Sequence, residues 1–377
     1  AASVTGREKL RPASSVRKLL AMPDATPLAD PFQNIAIIGD GAMATVLALL
    51  LESRGRTVSL WGPHEHNVAA TIQTRVSRYV PDQRLPEPIQ FTAKDEEAFG
   101  HPDRPADLIV ASIPTQYTRS VWERLAAHCP PGIPVASVSK GIEQDTMLRP
   151  TQIIADVLAK QSQADSPDRA PRPVASISGP TIADELARCL PATVAAASDN
   201  PGFADRLQAT FTTNWFRVYT NADLLGVELA GALKNVIALA AGILDGLQAG
   251  NNAKSALLSR GLAEITRLGV AMGAKPDTFF GLTGVGDLAT TCFSPTGRNR
   301  SCGEQLGRGK KLDEVLKDIP GVVEGVPTTK AVLQLADRYR VDMPITAAVH
   351  AVLFEDLDPL DAIAGLMSRD PKPERVG

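Results

Sequence analysis

A lysine in an otherwise apolar segment is the first residue that could carry out acid or base chemistry. Lys234 interrupts a run that contains Leu233, Val236 and Ile237. A helix there would bury the ammonium group, and burial lowers the pKa of a lysine toward neutral pH. Such a lysine can donate a proton to a substrate oxygen, and its charge can stabilise a developing alkoxide. The alternative is a lysine whose ammonium group reaches solvent along the helix surface.

Histidine and cysteine are weak candidates for the same chemistry. The five histidines are spread along the chain, and only His64 and His66 are close in sequence. The four cysteines are far apart and form no CxxC pair, which favours reduced thiols. These spacings predict no zinc site or other metal site, so proton transfer is left to a lysine or a carboxylate.

An aspartate and an arginine further along the chain supply two more reactive groups. Asp287 follows the glycine-rich turn Gly284–Gly286, which can bring a carboxylate close to a ligand or can simply cap the next helix. Arg298 offers a planar donor fork suited to a phosphate monoester. Arg300 and Arg308 continue the basic run and are interpreted as solvated surface charges.

A glycine-rich segment near the start of the chain predicts a phosphate-binding turn. Gly39-Asp40-Gly41-Ala42-Met43-Ala44 lies between a predicted strand and a predicted helix, the context in which a GxGxxG/A pattern is meaningful. Gly39 permits the tight turn, Gly41 lets the backbone approach a pyrophosphate, and Ala44 lets the helix pack on the sheet. An ordinary turn with incidental glycines is the alternative. Asp40 is unexpected, because pyrophosphate repels a carboxylate that faces it.

The end of the second predicted strand bears on the choice of nicotinamide cofactor. NAD-specific units usually carry Asp or Glu there, to bind the ribose hydroxyls. This chain has Leu60-Trp61-Gly62-Pro63-His64 instead. The lack of an acid removes the repulsion that a 2′-phosphate would meet, and His64 could approach that phosphate. The sequence therefore permits NAD or NADP.

The apolar segments predict an α/β fold with an N-terminal Rossmann-type doubly wound sheet followed by an all-α C-terminal domain. We expect an NAD(P)-binding domain at residues 34–220 and an α-helical substrate-binding domain at 221–370. Residues 1–33 are basic and predict a disordered or loosely docked extension, with a transit-peptide remnant as the alternative. The predicted strands are 34–38, 57–61, 107–113, 135–139, 174–178 and 192–197; the first predicted helix is 42–54, and 160–173 is a predicted surface loop.

Composition narrows the possible partners. A formal net charge of −3 over 377 residues gives no overall attraction to nucleic acid or to an anionic membrane. The most membrane-like stretch, 224–244, contains Glu228 and Lys234, each of which costs roughly 2.5 to 3.5 kcal/mol at a bilayer centre. A buried helix is the better interpretation. We therefore expect a cytoplasmic protein with no integral membrane segment.

Four further segments are similar to the NAD(P)-dependent glycerol-3-phosphate dehydrogenase family, in matching order over about residues 34 to 365. They are Val138–Glu143 (VSKGIE), Ile177–Thr181 (ISGPT), Gly231–Ala238 (GALKNVIA), and Gly284–Leu288 (GVGDL) leading to Gly297–Arg300 (GRNR). Gly297 departs from the family pattern, in which many members have Ser before the Arg-Asn pair. One hydroxyl contact is therefore absent, and a backbone N–H could replace it.

The resemblance implies a role for each matching residue. Lys234 would be the catalytic acid/base, supported by Asp287. The implied substrate contacts are Lys140, Gly179, Thr181, Asn235, Thr291, Arg298 and Asn299. The cofactor contacts expected from the turn, the second strand and the resemblance together are Gly39, Gly41, Ala42, Met43, Ala44, His64, Lys140, Ala183, Arg298, Val322 and Glu324.

The resemblance also implies a reaction, the interconversion of sn-glycerol 3-phosphate and dihydroxyacetone phosphate with NAD or NADP. The substrate would be a small phosphorylated three-carbon compound, its product would supply glycerophospholipid synthesis, and the protein would be a homodimer. Two alternatives stay open. One is a related two-domain reductase of another small hydroxy acid or ketone, which would not need Arg298 and Asn299. The other is a non-catalytic dinucleotide sensor, which would not need Lys234, Asp287 and Arg298 together.

Overall fold

The N-terminal half of the protein is built on one large sheet. The computed structural model describes residues 29–101, 103–165, 172–371 and 373–374. Its strands, in chain order, are β1 (Asn34–Ile38), β2 (Thr57–Trp61), β3 (Val76–Ser77), β4 (Val80–Arg84), β5 (Gln90–Thr92), β6 (Gly100–His101), β7 (Arg104–Pro105), β8 (Leu108–Ala111), β9 (Val135–Ser137), β10 (Val174–Ser178), β11 (Ala192–Ala197) and β12 (Phe216–Asn221).

Eight of these strands form the main sheet, in the order β5-β2-β1-β8-β9-β10-β11-β12. The first six in this order are parallel and follow the third-second-first-fourth-fifth-sixth arrangement of a Rossmann sheet. Strand β11 is antiparallel to β10, and β12 is parallel to β11. The order of the strands reverses between β1 and β8, so the ligand crevice is expected at their carboxyl ends.

The sequence predicted the central strands because they are buried and almost wholly apolar. Strands β1, β2, β10 and β11 have the predicted bounds. Strands β8 and β9 are shorter than predicted, because the chain leaves the sheet after Ala111 and Ser137. There the hydroxyl of Ser139 donates a hydrogen bond to the carbonyl oxygen of Ile113, which joins the two departing segments.

Helices cover the sheet and form the whole C-terminal half. They are α1 (Ala42–Ser53), α2 (Glu65–Thr74), α3 (Thr115–Leu125), α4 (Pro150–Asp165), α5 (Ala183–Ala187), α6 (Pro201–Phe211), α7 (Leu224–Gly246), α8 (Gly250–Ala271), α9 (Pro276–Phe279), α10 (Asp287–Phe293), α11 (Arg298–Gly307), α12 (Leu312–Asp318), α13 (Gly325–Tyr339), α14 (Pro344–Phe354) and α15 (Pro359–Met367). Short 3₁₀ turns lie at Asp95–Glu97 and Ala126–His128, and a π-helical turn lies at Leu282–Gly286. The fold class predicted from the sequence is confirmed.

One predicted loop is partly helical. Residues 160–173 were expected to form a surface loop because they are polar, yet α4 continues to Asp165. Polar residues with good helix propensity can extend a helix without any apolar signal in the sequence. Residues 166–171 lie outside the described part of the chain.

Helix α7 is the core of the helical half. By length and composition it could cross a membrane, but its most apolar window is 100% buried inside the protein. It packs closely along α11, where glycines allow the two backbones to meet; a Cβ on Gly242 would overlap the backbone of Arg300, and a Cβ on Gly303 would overlap Leu239. The prediction of a buried helix is confirmed.

The folded core begins before residue 34. Phe32 is 1% exposed, and its backbone N–H donates to the Thr210 hydroxyl at 2.9 Å. Its ring meets Phe203 edge-on, and the Arg206 guanidinium lies 3.7 Å from the ring centre. The last residues of the predicted extension are therefore part of the first domain, whereas residues 1–28 lie outside the described chain.

Candidate active site

The turn after β1 forms a cradle at the carboxyl edge of the sheet. Gly39 has φ of +121°, and a Cβ there would overlap the carbonyl oxygen of Ser112, so the turn requires glycine. Gly41 is the N-cap of α1, and a Cβ on Gly41 would have nothing within 4 Å. Ala44 is fully buried, as its predicted packing role requires. The open space before the first N–H groups of α1 fits a dinucleotide pyrophosphate.

The side chain of Asp40 lies at the end of β2. A Cβ on Gly62, the residue directly after β2, would be 3.0 Å from the Cβ of Asp40 and 3.1 Å from its carboxyl carbon. The sequence has no acid directly after this strand, but the fold brings one there from the neighbouring turn. The premise that no acid lies at this strand end is therefore wrong for the folded chain, while its effect on a 2′-phosphate stays a prediction.

Three basic residues act electrostatically on the Asp40 carboxyl group. Burial raises the pKa of Asp40, and the charges of Arg78, His64 and His66 act against that rise. His64 is the exposed N-cap of α2, and its ring centre is 5.9 Å from that of His66. Arg78 lies in the turn between β3 and β4, with its guanidinium 4.6 Å from the centre of the Tyr79 ring. Arg78 is a residue that the sequence analysis missed.

Lys234 lies in the buried face of α7, as its apolar neighbours predicted. It is 6% exposed, and its Nζ donates to Asp287 Oδ1 and to Thr291 Oγ1, both at 2.6 Å. Burial lowers the pKa of Lys234 to about 8, with Asp287 raising it and Lys140 lowering it further. The alternative of an ammonium group that reaches solvent along the helix surface is therefore wrong, since the Lys234 side chain is only 8% exposed and its Nζ is held by Asp287 and Thr291.

Asp287 joins the two lysines. Its second oxygen, Oδ2, accepts a hydrogen bond from Lys140 Nζ at 2.7 Å, and the residue is 1% exposed. The π-helical turn before it places the carboxylate at the first residue of α10, facing α7. Lys140 comes from the sheet half, just after β9, so one buried carboxylate connects cations from both halves of the protein. Asp287 is thus more than a helix cap.

The segment after β10 completes the surroundings of Lys140. Its Nζ also donates to the Gly179 carbonyl oxygen at 2.8 Å and to Thr181 Oγ1 at 3.3 Å. Gly179 has φ of +149°, and a Cβ there would press on the backbone of Val194 at 2.9 Å. The structure therefore brings Lys140, Gly179, Thr181, Asp287 and Lys234 together at one point.

Two asparagines form a chain of hydrogen bonds behind this cluster. Asn235 Nδ2 donates to the Lys140 carbonyl oxygen at 3.1 Å, and Asn235 Oδ1 accepts from Asn299 Nδ2 at 3.0 Å. Asn299 Oδ1 in turn accepts from the Gly325 backbone N–H at 2.8 Å. These contacts fix α7, α11 and α13 relative to the Lys140 loop. Direct substrate contact by Asn235 and Asn299 stays a prediction.

Arg298 and Glu324 lie on the rim of the same crevice. Arg298 is the first residue of α11 and forms no ion pair with the described residues, although its charge acts on Glu324. Glu324 Oε1 accepts from the Thr115 backbone N–H at 2.8 Å, across the two halves of the protein. Burial raises the pKa of Glu324 to about 7.

Two buried atoms at this contact lack partners. Glu324 Oε2 and Thr115 Oγ1 are buried without a hydrogen bond in the described part of the chain. Buried polar groups are normally paired, so a bound ligand with N–H or O–H groups would satisfy both atoms. Thr115 was missed by the sequence analysis; its signal was a helix start directly after β8, at the carboxyl edge of the sheet.

Comparison with known proteins gives the family of the chain. A family model described as the N-terminus of NAD-dependent glycerol-3-phosphate dehydrogenase matches residues 34–204, and a model described as its C-terminus matches residues 223–364. The chain belongs to the NAD-dependent glycerol-3-phosphate dehydrogenase family. The resemblance seen in the sequence segments is thereby confirmed.

Individual relatives of this dehydrogenase family match nearly the whole chain. The chain is 45% identical to glycerol-3-phosphate dehydrogenase [NAD(P)+] of Prosthecochloris aestuarii, over 90% of this chain and 99% of that protein. It is 46% identical to the enzyme of the same name from Geobacillus kaustophilus, over 91% and 96%. The crystal structure of the Coxiella burnetii glycerol-3-phosphate dehydrogenase superposes with a TM-score of 0.82, at 35% identity, over 89% of this chain and 99% of that one.

Four predicted positions of this family member remain. Ala42 and Met43 form the first turn of α1 and pack on the sheet core, Ala183 begins α5, and Val322 is half-buried two residues before Glu324. The role of Val322 stays a prediction. In the described residues no group of three or more His, Cys, Asp or Glu could hold a metal ion.

Proposed function

We propose that this chain is an NAD(P)-dependent oxidoreductase that interconverts dihydroxyacetone phosphate and sn-glycerol 3-phosphate. The observation that carries the proposal is the buried Lys234–Asp287–Lys140 cluster, which lies where the carboxyl ends of the sheet meet the helical half. Such a cluster gives a crevice with one proton donor, one carboxylate and a second cation. These groups are what the reduction of a phosphorylated ketone requires.

Lys234 is the proposed proton donor. When bound, the nicotinamide cofactor supplies the hydride that reduces the ketone carbon. Lys234 gives its proton to the ketone oxygen, which becomes the alcohol, and the resulting amine takes a proton back from solvent. A pKa of about 8 keeps the ammonium form available near neutral pH and makes the amine form accessible for the reverse reaction.

Asp287 and Lys140 hold this donor and the substrate in place. The Asp287 carboxylate fixes both ammonium groups by hydrogen bonds of 2.6 and 2.7 Å. Lys140 and Thr181 face the same point as Lys234, so they can contact the substrate oxygens. Arg298, without an ion pair among the described residues, is the proposed ligand of the substrate phosphate.

The cofactor would bind along the carboxyl edge of the sheet. The cradle of Gly39, Gly41 and the start of α1 would receive the pyrophosphate. At the opposite end of the crevice, Glu324 Oε2 and Thr115 Oγ1, which have no hydrogen-bond partner in the described chain, would accept hydrogen bonds from the cofactor. Met43 and Ala183 line the sheet side. Either NAD or NADP is used, so a preference beyond roughly a thousandfold, about 4 kcal/mol, would contradict the proposal.

One assay separates this function from the alternatives. Oxidation of NADH and NADPH is followed at steady state with dihydroxyacetone phosphate, unphosphorylated dihydroxyacetone and 2-ketoacids. We expect turnover with the phosphorylated ketone and little with the others. A preference for a 2-ketoacid would favour a related reductase of another substrate, and cofactor binding without turnover of any ketone would favour a dinucleotide sensor.

We further propose that the protein is a cytoplasmic homodimer whose product supplies glycerophospholipid synthesis. Membership of the family supports these points. Light scattering after gel filtration should give a mass near twice the 39.9 kDa of the chain. A monomer mass would contradict the dimer, and recovery of the tagged chain in an organelle would favour a transit remnant at residues 1–33.

A further inference from the structure

The adenosine end of the proposed cofactor site contains an acid in an unusual place. In a Rossmann sheet the ribose of the adenosine lies over the carboxyl end of the second strand, where an acid from that strand binds the ribose hydroxyls. Here the strand β2 is followed by Gly62, which has no side chain. The carboxyl group of Asp40 fills that space, with its carboxyl carbon 3.1 Å from the position of a Cβ on Gly62.

Three basic residues lie in the segments next to Asp40. His64 and His66 lie at the start of α2, and Arg78 lies in the turn between β3 and β4. That turn is held against α1 because Thr45 Oγ1 donates to Ser77 Oγ at 3.2 Å. Arg78, His64 and His66 all act electrostatically on Asp40. A carboxylate suited to hydroxyl groups and an arginine suited to a phosphate thus lie in the same region.

We propose that Asp40 replaces the missing acid of β2 as the ligand of the adenosine ribose. The opposite charges of Asp40 and Arg78 then set the preference between NADH and NADPH. The inference rests on the proposed function. Asp40 accepts hydrogen bonds from the ribose 2′- and 3′-hydroxyls of NADH and repels the 2′-phosphate of NADPH. Arg78 attracts that phosphate, so neither cofactor is excluded.

The test is a comparison of cofactor affinities in the full-length protein without substrate. Dissociation constants for NADH and NADPH are measured by fluorescence titration for the parent and for Asp40→Asn. Loss of a charged hydrogen bond is worth about 1.5 to 3 kcal/mol, which is roughly ten- to a hundredfold in affinity. We expect Asp40→Asn to bind NADH about tenfold more weakly and NADPH more tightly, and Arg78→Gln to weaken NADPH alone.

Glu65 supplies a matched control. It is the first residue of α2, exposed, and next in sequence to His64, so Glu65→Gln removes the same charge from the same region. The Glu65→Gln ratio of the two dissociation constants should stay within about twofold of the parent ratio, since its carboxylate is not among the groups that act on Asp40.

The outcomes are distinct. An unchanged ratio in Asp40→Asn, or an equal change in Glu65→Gln, overturns the inference and leaves the proposed function standing. A parent protein that binds neither cofactor overturns both. If Asp40→Asn does not fold, the parent is titrated with adenosine 2′,5′-bisphosphate and with 5′-AMP. If adenosine 2′,5′-bisphosphate binds more than about a hundredfold more tightly than 5′-AMP, no carboxylate opposes the 2′-phosphate and the inference is overturned. Similar affinities for the two compounds support it.

Discussion

Replacement of Lys234 by methionine tests the proton donor with little change in packing. Methionine keeps most of the apolar stem in the buried face of α7, and it removes both the proton and the positive charge that faces the developing alkoxide. General acid catalysis is typically worth about 10² to 10⁴ in rate. We expect kcat for ketone reduction to fall by at least that range, while NADH and NADPH still bind, because the cradle at Gly41 lies in the other half of the protein.

The cost to stability can be estimated from the same contacts. Asp287 would lose a hydrogen bond of 2.6 Å but keep Lys140 at 2.7 Å, so its charge stays paired. We therefore expect a loss of about 1.5 to 3 kcal/mol in the free energy of unfolding, rather than the larger penalty of an unpaired buried charge. A folded variant should be recoverable for kinetics.

Lys254→Met is the matched control. Lys254 is as buried as Lys234, at 6% exposed, and it shares Asp245 with a second cation, Arg300. Its removal should cost similar stability without entering the proposed chemistry, so kcat should stay within about tenfold of the parent. Steady-state oxidation of NADH with saturating dihydroxyacetone phosphate compares the two variants.

The pH profile gives a second readout. Reduction needs the Lys234 ammonium group, so kcat of the parent should fall as the pH rises through about 8, and oxidation of glycerol 3-phosphate should rise over the same range. If Lys234→Met keeps kcat within about tenfold of the parent, a loss too small for a principal proton donor, the assignment is refuted and Lys140 becomes the leading candidate.

Three further changes test the rest of the site. Gly41→Val places a side chain in open space before α1, so the fold should survive while the Kd of NADH and NADPH rises; unchanged affinity by fluorescence titration would place the pyrophosphate elsewhere. Arg298→Lys keeps the charge but loses the donor fork, so KM for dihydroxyacetone phosphate should rise about tenfold with a smaller change in kcat. Glu324→Gln bears on stability: burial raises the folded-state pKa from 4.5 to about 7, so the folded protein holds a proton that the unfolded chain releases between these values. The free energy of unfolding of the parent should therefore fall as the pH rises from 4.5 to 7, and that of Glu324→Gln should fall less. Urea unfolding of both proteins at pH 5 and 7.5 measures the difference, and equal falls would contradict burial of Glu324 as the cause.

The local sequence pattern was sufficient to predict the strands that form the framework of the sheet. Strands such as β1 and β10 are short, apolar and bounded by turn residues, and their bounds follow from the sequence alone. The buried position of Lys234 was also predictable, because a lysine inside the long apolar run of α7 has no exposed face to occupy. The loop predicted at 160–173 was wrong where α4 continues to Asp165, since a polar sequence is compatible with helix and loop alike.

The contacts between distant segments were decided only by the tertiary structure. The sequence predicted a glycine turn between strand and helix, a buried lysine and a family, because each depends on short motifs within the chain. It did not show that Asp287 links Lys234 to Lys140, that Thr115 meets Glu324, or that Asp40 lies at the end of β2. Each of these contacts depends on how strands and helices from separate parts of the chain converge at one edge of the sheet, and no local pattern specifies that convergence.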